Sequence, residues 1–540
     1  MKMKLFNLFI LSIFFAFCVE AQDEKPNIVW ISFEDMSPIL SCYGDSTAHT
    51  PNINSLANQG VVYNNVYATA GVCAPSRSAI ITGMYPISIG TNHMRTGRDI
   101  MSWGNSTYRE EKGVVDKKGN NVREYSAVLP KDVKCFTEFL RAEGYYCTNN
   151  AKTDYQFAAP FTAWDENDTK AHWRNRGDDQ PFFAVFNFNE THESKIWKNK
   201  DYPQTVDENI VHLPPYYPDV TEVRQDVARM YSNLELLDKR VGQIIQQLKK
   251  DGLYENTYIF LFSDHGGPLP RQKREVIASG LHVPFVIKYP QSEKVGHSDQ
   301  LISFIDLAPS VIDLAKGEIP AYLQGKSLFS EERKYSFAAR DRMDEFTSAR
   351  RSVTDGRYLY VRYLENETSA YQDIGYRTQV PTMRVLKEMY SKGTLNEVQS
   401  KWFSPLTSSE MLFDLENDPF ETKNLAEDKS HQKTLKKFRS VMNKWMKKTP
   451  DRCIQPEAEM IEEMWPNNTQ PITLNVGGVY QDGVLKLNCP TESVSIGYRV
   501  NGGKWKLYHQ PISTQKGDLV EAKAIRIGYK TSEITSFSNE

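Results

Sequence analysis

One short stretch of the sequence combines a nucleophile with the elements of an anion-binding site. Cys73 precedes Pro75 and Ser76, two residues that favour the start of a helix, and 78–82 is predicted to form its first turns. A thiol placed there faces unpaired backbone N–H groups and the positive end of the helix dipole. Arg77 adds a fixed cation one turn further on. The stretch therefore predicts a site that holds or develops an anion, and the alternative is a buried structural cysteine beside a helix start.

Two apolar runs that are typical of buried strands are each followed at once by ionisable residues. Glu34 and Asp35 follow the run 27–33, and Asp264 and His265 follow the run 257–263. In open α/β sheets, sites gather at the carboxyl ends of the strands. These side chains are therefore predicted to lie together at one edge of a sheet, and the alternative is unrelated surface charge at strand ends.

The wider pattern alternates strands with helices. Apolar runs predict strands at 27–33, 61–68, 182–188, 257–263 and 283–288, and helical periodicity predicts helices at 50–60, 222–250 and 305–314. This order predicts an α/β domain with a large, mostly parallel sheet and helices on both faces.

The fixed residues around Cys73 resemble the signature of the type I sulfatases. The string is Cys73-x-Pro75-Ser76-Arg77 followed, after four further residues, by Thr82-Gly83. The resemblance implies an alkaline-phosphatase-like fold and conversion of Cys73 after translation to formylglycine, whose hydrated aldehyde is the nucleophile. It also implies a partner, namely a formylglycine-generating or sulfatase-maturating enzyme.

The same resemblance implies a metal site made of Glu34, Asp35, Asp264, His265 and the modified Cys73. Oxygen-rich coordination favours a hard divalent cation, and the family implies Ca²⁺. His265 replaces the asparagine of some members and Glu34 replaces the commoner aspartate. Whether Glu34 reaches the metal or sits behind it is left open by the sequence.

Further cations are implied around the sulfate. Arg77, Lys152 and Lys273 match the family's sulfate-binding cations, and His192 matches the histidine near the leaving group, with a loop histidine of no role as the alternative. Many members carry another histidine shortly after the first lysine, but 153–155 here is Thr-Asp-Tyr. The group that handles the proton of the hydrate is therefore not identified by the resemblance.

Two segments, 88–96 and 340–344, resemble strings in bacterial polysaccharide sulfatases, including heparan N-sulfatase-like ones. They place His93, Arg95 and Arg342 as substrate-binding residues that would contact sugar hydroxyls or a uronate carboxylate, with structural pairing as the alternative. The predicted substrate is a sulfated polysaccharide or its oligosaccharides, with heparan-like, ulvan and carrageenan glycans all open.

Two rival functions accompany the sulfatase prediction. A phosphomonoesterase or phosphonate hydrolase of the same superfamily would share the sheet and the metal. A catalytically inactive protein that binds sulfated glycans is the other, and it is disfavoured because the cysteine, carboxylates and lysines are all present together.

The domain organisation follows from changes of pattern along the chain. Residues 1–21 are predicted to be a basic and then apolar signal peptide, 22–334 the catalytic α/β domain and 467–540 a small β-sandwich. The intervening 335–466 resembles the smaller C-terminal subdomain of sulfatases and is predicted to be α+β. The signal peptide predicts export to the periplasm, with secretion or a lipoprotein anchored at Cys18 as alternatives. The sandwich is predicted to be a structural appendage, with glycan contact as the alternative.

The composition of the 540 residues is that of an ordinary globular protein with a net charge of −3. This excludes a nucleic-acid-binding or disordered chain, and no segment after the leader is apolar and long enough to predict a membrane span. The cysteines left after Cys18 and Cys73 are odd in number and irregularly spaced, which is not a disulfide framework, although one bridge is allowed.

Overall fold

The computed structural model describes residues 25–98, 108–330, 332–365 and 367–539. The predicted leader, including Cys18, lies outside these residues. In chain order the strands are β1 (Asn27–Phe33), β2 (Val61–Tyr67), β3 (Glu110–Val115), β4 (Asn121–Arg123), β5 (Tyr146–Asn150), β6 (Glu166–Asn167), β7 (Phe182–Phe188), β8 (Thr257–Ser263), β9 (Phe285–Lys288), β10 (Gly296–Ser303), β11 (Ser336–Met343), β12 (Phe346–Thr354), β13 (Tyr358–Tyr363), β14 (Glu410–Asp414), β15 (Gly477–Gln481), β16 (Val484–Asn488), β17 (Ser495–Val500), β18 (Lys506–Leu507), β19 (Ile512–Ser513), β20 (Leu519–Ile525) and β21 (Thr535–Ser538). The α-helices are α1 (Pro51–Ala57), α2 (Cys73–Thr82), α3 (Pro86–Ile89), α4 (Phe136–Ala142), α5 (Ser194–Lys198), α6 (Thr221–Lys250), α7 (Ala278–Leu281), α8 (Leu307–Leu314), α9 (Pro381–Ser391), α10 (Glu397–Ser400), α11 (Gln432–Lys448) and α12 (Glu457–Met464).

A large sheet with the strand order β10-β2-β9-β8-β1-β7-β5-β6 forms the centre of the molecule. Within the described residues its neighbouring pairs are parallel except where β9 runs antiparallel between β2 and β8. The predicted fold class is therefore confirmed. The strand predicted at 283–288 is present as β9, and only its direction departs from the parallel pattern.

Helices cover both faces of this sheet because successive side chains of its strands point to opposite sides. On β1, Ile28 and Trp30 pack into one buried cluster with α2, α4 and α8. Val29, Ile31 and Phe33 pack into a second cluster with α1 and the long helix α6. The near-continuous apolar sequence of β1 is thus explained by burial on both faces.

The four adjacent strands β8, β1, β7 and β5 bring their carboxyl ends to one edge of the sheet. Phe33 at the end of β1 lies level with Phe188 of β7 and with Ser263 of β8. Every segment that follows these four ends carries a residue that the sequence singles out: Glu34 and Asp35, Lys152, His192, and Asp264 with His265. The predicted clustering at a sheet edge is confirmed.

Two smaller units follow the large sheet. The antiparallel sheet β11-β12-β13-β14 is covered by α11, whose Trp445 stacks on Phe337 with ring centroids 4.8 Å apart. The sheets β15-β16-β19 and β18-β17-β20-β21 pack face to face over a core that includes Leu485 and Val520. Asn501 and Gly502 both have positive φ between β17 and β18, which is the turn chemistry that an Asn-Gly hairpin requires.

Two findings concern cysteines and membranes. The six cysteines of the described part of the chain are free thiols. In the same ranges, no helix has both the length and the apolar character needed to cross a membrane.

Candidate active site

Cys73 is the first residue of α2, so the helix begins five residues before the stretch predicted to form its first turns. Pro75 lies in the first turn, where its missing N–H costs no hydrogen bond. The Cys73 sulfur is buried and lies 3.4 Å from His265 Nε2 and 3.5 Å from Lys273 Nζ. Burial alone would raise the pKa of the Cys73 thiol, but Lys152 and Lys273 outweigh burial and hold that pKa below its ordinary value.

The predicted metal ligands converge on this sulfur. One set of potential donors is Asp35, Cys73, Asp264 and His265, and a second is Glu34, Asp35, Cys73 and His192, with the donor atoms of each set within 4.8 Å of one another. Glu34 therefore reaches the cluster, although its Oε1 also lies 2.5 Å from Lys152 Nζ. In each set two of the four donors are carboxylates, the ligand type that a hard divalent cation prefers.

The ionisation of these groups is set by their neighbours. Burial would raise the pKa of Asp35, but Lys273, His192 and His265 hold it well below its ordinary value. Burial would also raise the pKa of Asp264, but His265 and Arg77 outweigh burial and lower that pKa. Burial would lower the pKa of His265, yet Asp264, Asp35 and the Cys73 sulfur raise it to about 10. The two aspartates are accordingly ionised and available as ligands at neutral pH.

Three cations surround the cluster, each fixed by a carboxylate. Lys273 Nζ lies 2.5 Å from Asp35 Oδ2, and Arg77 Nε donates to Asp264 Oδ2 over 3.0 Å. Lys152 makes its contact with Glu34. The three cations predicted from the sequence are therefore brought together around Cys73.

His192 lies at the edge of the same group, with Nε2 3.6 Å from Glu34 Oε2. The Ser194 backbone N–H donates to His192 Nδ1 over 3.1 Å. This bond places the proton of the neutral ring on Nε2, which is the nitrogen that faces the cluster.

A pocket of about 310 Å³ opens over these groups. Its lining comprises Glu34, Cys73, Met94, Arg95, Lys152, Asn189, His192, Glu193, Ser194, Lys195, Lys273, Arg274, Asp344 and Tyr376. Arg95 retains 33% of its side-chain surface and donates to Asp154 Oδ1 over 2.7 Å.

Eight of these lining residues were not singled out from the sequence: Met94, Asn189, Glu193, Ser194, Lys195, Arg274, Asp344 and Tyr376. Glu193 and Arg274 form a buried bidentate pair at 2.8 and 2.9 Å, and each adjoins a residue that was identified, His192 or Lys273. That adjacency is the signal that could have found them. Asp344 lies in the segment 340–344 that was expected to face the sugar, although the residue itself was assigned no role, whereas no spacing in the sequence connects Tyr376 to Cys73.

The structure places His93 and Arg342 away from the pocket. Both are buried, and Arg342 Nη2 donates to Glu457 Oε1 over 2.8 Å while its backbone N–H donates to His93 Nδ1 over 3.3 Å. Their expected contact with substrate is not supported, because the pairing with Glu457 leaves them facing protein. The structural alternative fits both residues.

Comparisons with known proteins bear on the family to which this chain belongs. The family model described as Sulfatase matches residues 26–317, and the one described as N-sulphoglucosamine sulphohydrolase, C-terminal, matches 271–406. An "Ulvan-active sulfatase" of Formosa agariphila is 41% identical over 95% of this chain and 91% of its own length.

Two solved structures show the same fold at low identity. A 2-O GAG sulfatase has a TM-score of 0.55 and 19% identity, covering 79% of this chain and 93% of that one. A phosphonate monoester hydrolase from Silicibacter pomeroyi has a TM-score of 0.54 and 17% identity, covering 80% and 97%. The fold is therefore shared by enzymes of different ester chemistry, and only the site separates them.

Proposed function

Since this chain belongs to the sulfatase family and is a sulfuric ester hydrolase, we propose that it removes sulfate groups from a sulfated polysaccharide or its oligosaccharides. The observation that carries the proposal is the placement of Cys73 between two lysines and over a carboxylate cluster, at the base of a pocket. This arrangement offers a nucleophile position, a metal site and cations for the sulfate oxygens in one place.

The proposal includes two groups that the family implies, formylglycine at position 73 and Ca²⁺. The donors of Glu34, Asp35, Asp264 and His265 fit the cation, and the buried side chain of Cys73 lies beside them. When these groups are in place, the cation polarises the sulfate and the hydrated aldehyde supplies the attacking oxygen.

The chain's own residues would then bind and position the substrate. Lys152 and Lys273 neutralise the sulfate oxygens, since both ammonium groups lie against the position of Cys73. Arg77 orients Asp264 through its 3.0 Å contact. His192 carries its proton on the nitrogen that faces the cluster and is placed to give it to the leaving oxygen.

The relative named as ulvan-active supports ulvan as the first glycan to test, with heparan-like and carrageenan chains next. The basic and apolar residues of 1–21 support export to the periplasm, where secretion and a lipid anchor at Cys18 remain the alternatives. We retain the division into 22–334, 335–466 and 467–540 as the proposed domain boundaries.

The deciding experiment combines mass spectrometry of the Cys73 peptide with sulfate release from a panel of sulfated glycans, using protein exported by its own host. We expect a loss of about 18 Da at Cys73, thiol to aldehyde, together with sulfate release. Cys73→Ala should abolish release, whereas Cys135→Ala, a change at another fully buried free cysteine, should retain it.

The same samples test both rivals. Faster release of phosphate or phosphonate than of sulfate would favour the phosphoester hydrolase. An unmodified thiol with no release from any glycan would overturn the proposed function in favour of a sulfated-glycan-binding protein.

A further inference from the structure

Tyr376 is an exposed aromatic residue beside the reaction centre. It lines the pocket over Cys73, yet 43% of its surface remains exposed. Its pKa is raised first by burial and then by Glu193, which shows that the ring lies near the buried charges of the site. Tyr376 therefore stands where the pocket meets solvent.

The ring is held by contacts with two neighbours. The Trp197 ring meets it edge-on, with centroids 5.5 Å apart at 71°. The Arg274 guanidinium carbon lies 5.8 Å from the ring centroid, and Glu193 fixes Arg274 through two hydrogen bonds. An aromatic ring fixed in this way presents apolar surface at a small entropic cost on binding.

The size of the pocket indicates how much of a glycan it can hold. A volume of about 310 Å³ is at the small end of ligand pockets, which span about 300–1,000 Å³. Such a pocket suits the one sugar that carries the reacting sulfate. The remainder of an oligosaccharide would then extend beyond the pocket, and Tyr376 is a lining residue whose ring is exposed to solvent there.

We propose that Tyr376 forms a stacking platform for the pyranose ring adjoining the sulfated sugar, and that Trp197 supports this platform. The proposal rests on the proposed function, because it assumes that the substrate is a glycan of at least two rings. The apolar C–H face of a pyranose would lie on the exposed ring of Tyr376, and the sulfated sugar would lie in the pocket. Tyr376 thereby determines specificity for chains over single sugars.

The experiment compares Tyr376→Ala and Tyr376→Phe on a sulfated disaccharide and on the sulfated monosaccharide that it contains. Tyr376→Ala should raise KM for the disaccharide about 5- to 10-fold, with kcat and the monosaccharide KM changing less than about 2-fold. Tyr376→Phe keeps the ring and should stay within about 2-fold of the parent protein. Tyr390→Ala is the matched control, since Tyr390 is 39% exposed and stacks on Phe403 at 4.8 Å away from the pocket lining.

Calorimetric titration of the same disaccharide into Cys73→Ala protein, with and without Tyr376→Ala, measures the platform independently of turnover. We expect Kd to rise by the same 5- to 10-fold factor. Equal losses for the monosaccharide and the disaccharide, or an equal loss in Tyr390→Ala, would overturn the platform. Absence of sulfate release with a retained Kd difference would instead count against the proposed function alone.

Discussion

His93 and Arg95 are separated by one residue, but their side chains lie in different surroundings. Arg95 keeps a third of its side chain exposed at the pocket and is held by Asp154 alone among the ion pairs of the described residues. His93 is 3% exposed and lies beside Arg342 and Glu457. Both regions contain an arginine paired with a carboxylate. The pair of Arg95 and Asp154 forms an open cluster at the pocket, whereas His93, Arg342 and Glu457 form a closed cluster enclosed by protein.

The closed cluster binds its arginine to protein groups through all three guanidinium nitrogens. Arg342 donates from two nitrogens to Glu457 and from Nη1 to the carbonyl oxygens of Met94 and Asp344, at 2.7 and 2.6 Å. The pocket differs because Lys273 is fixed by Asp35 on one side and faces the Cys73 sulfur on the other. A basic residue near a site is functional only where its hydrogen-bonding capacity is not already used by the protein.

Removing Arg342 gives the largest expected effect. Arg342→Met leaves the Glu457 carboxylate buried without its cation, and the free energy of unfolding should fall by about 3–5 kcal/mol. Denaturant unfolding measures the loss, and KM of the folded fraction should stay at the parent value. Arg342→Met combined with Glu457→Gln should recover part of the stability because no unpaired charge remains. A raised KM of Arg342→Met at unchanged stability would instead show that Arg342 contacts the substrate.

His93 gives the closed cluster an expected pH dependence. Burial lowers the pKa of His93 from 6.5 to about 4, although Glu457 opposes the shift. Between these values the unfolded chain binds a proton that the folded chain does not, so stability should fall as pH drops from about 6.5 to about 4 and be unaffected above that window. Full titration corresponds to about 3 kcal/mol at the lower end.

The test is His93→Asn, whose amide oxygen can still accept the Arg342 N–H. Unfolding free energies at pH 7 and pH 4.5 should differ by about 1–3 kcal/mol less in this variant than in the parent protein. His282, half-buried and with a pKa lowered by desolvation to about 4, retains its own acid sensitivity in both proteins. His49→Asn, at an exposed histidine, is the control and should leave the difference unchanged.

The contrast between the two clusters also shows what the sequence can and cannot predict. Apolar runs specified β1 and β8 and placed Glu34, Asp35, Asp264 and His265 after their ends, because a strand and the residues that directly follow it are neighbours in the sequence. The partner of Arg342 is Glu457 on α12, more than a hundred residues away, and no local pattern connects them. Tyr376 was missed for the same reason, since only tertiary packing brings its segment to the pocket.

Arg95 gives the smallest expected effect and tests the open side of the comparison. Arg95→Ala removes a cation from the pocket, and we expect KM for an anionic glycan to rise about 3- to 10-fold. Stability should change by less than about 1 kcal/mol, because the side chain is partly solvated and Lys152, 3.4 Å from Asp154, still compensates that carboxylate. Arg174→Ala removes a comparable arginine–aspartate pair, with Asp251, on a surface outside the pocket lining and should leave KM unchanged. Equal KM in Arg95→Ala and Arg174→Ala would mean that an exposed cation at this rim is not thereby a substrate contact. A stability loss in Arg95→Ala as large as that of Arg342→Met would show that Arg95 belongs with the closed cluster.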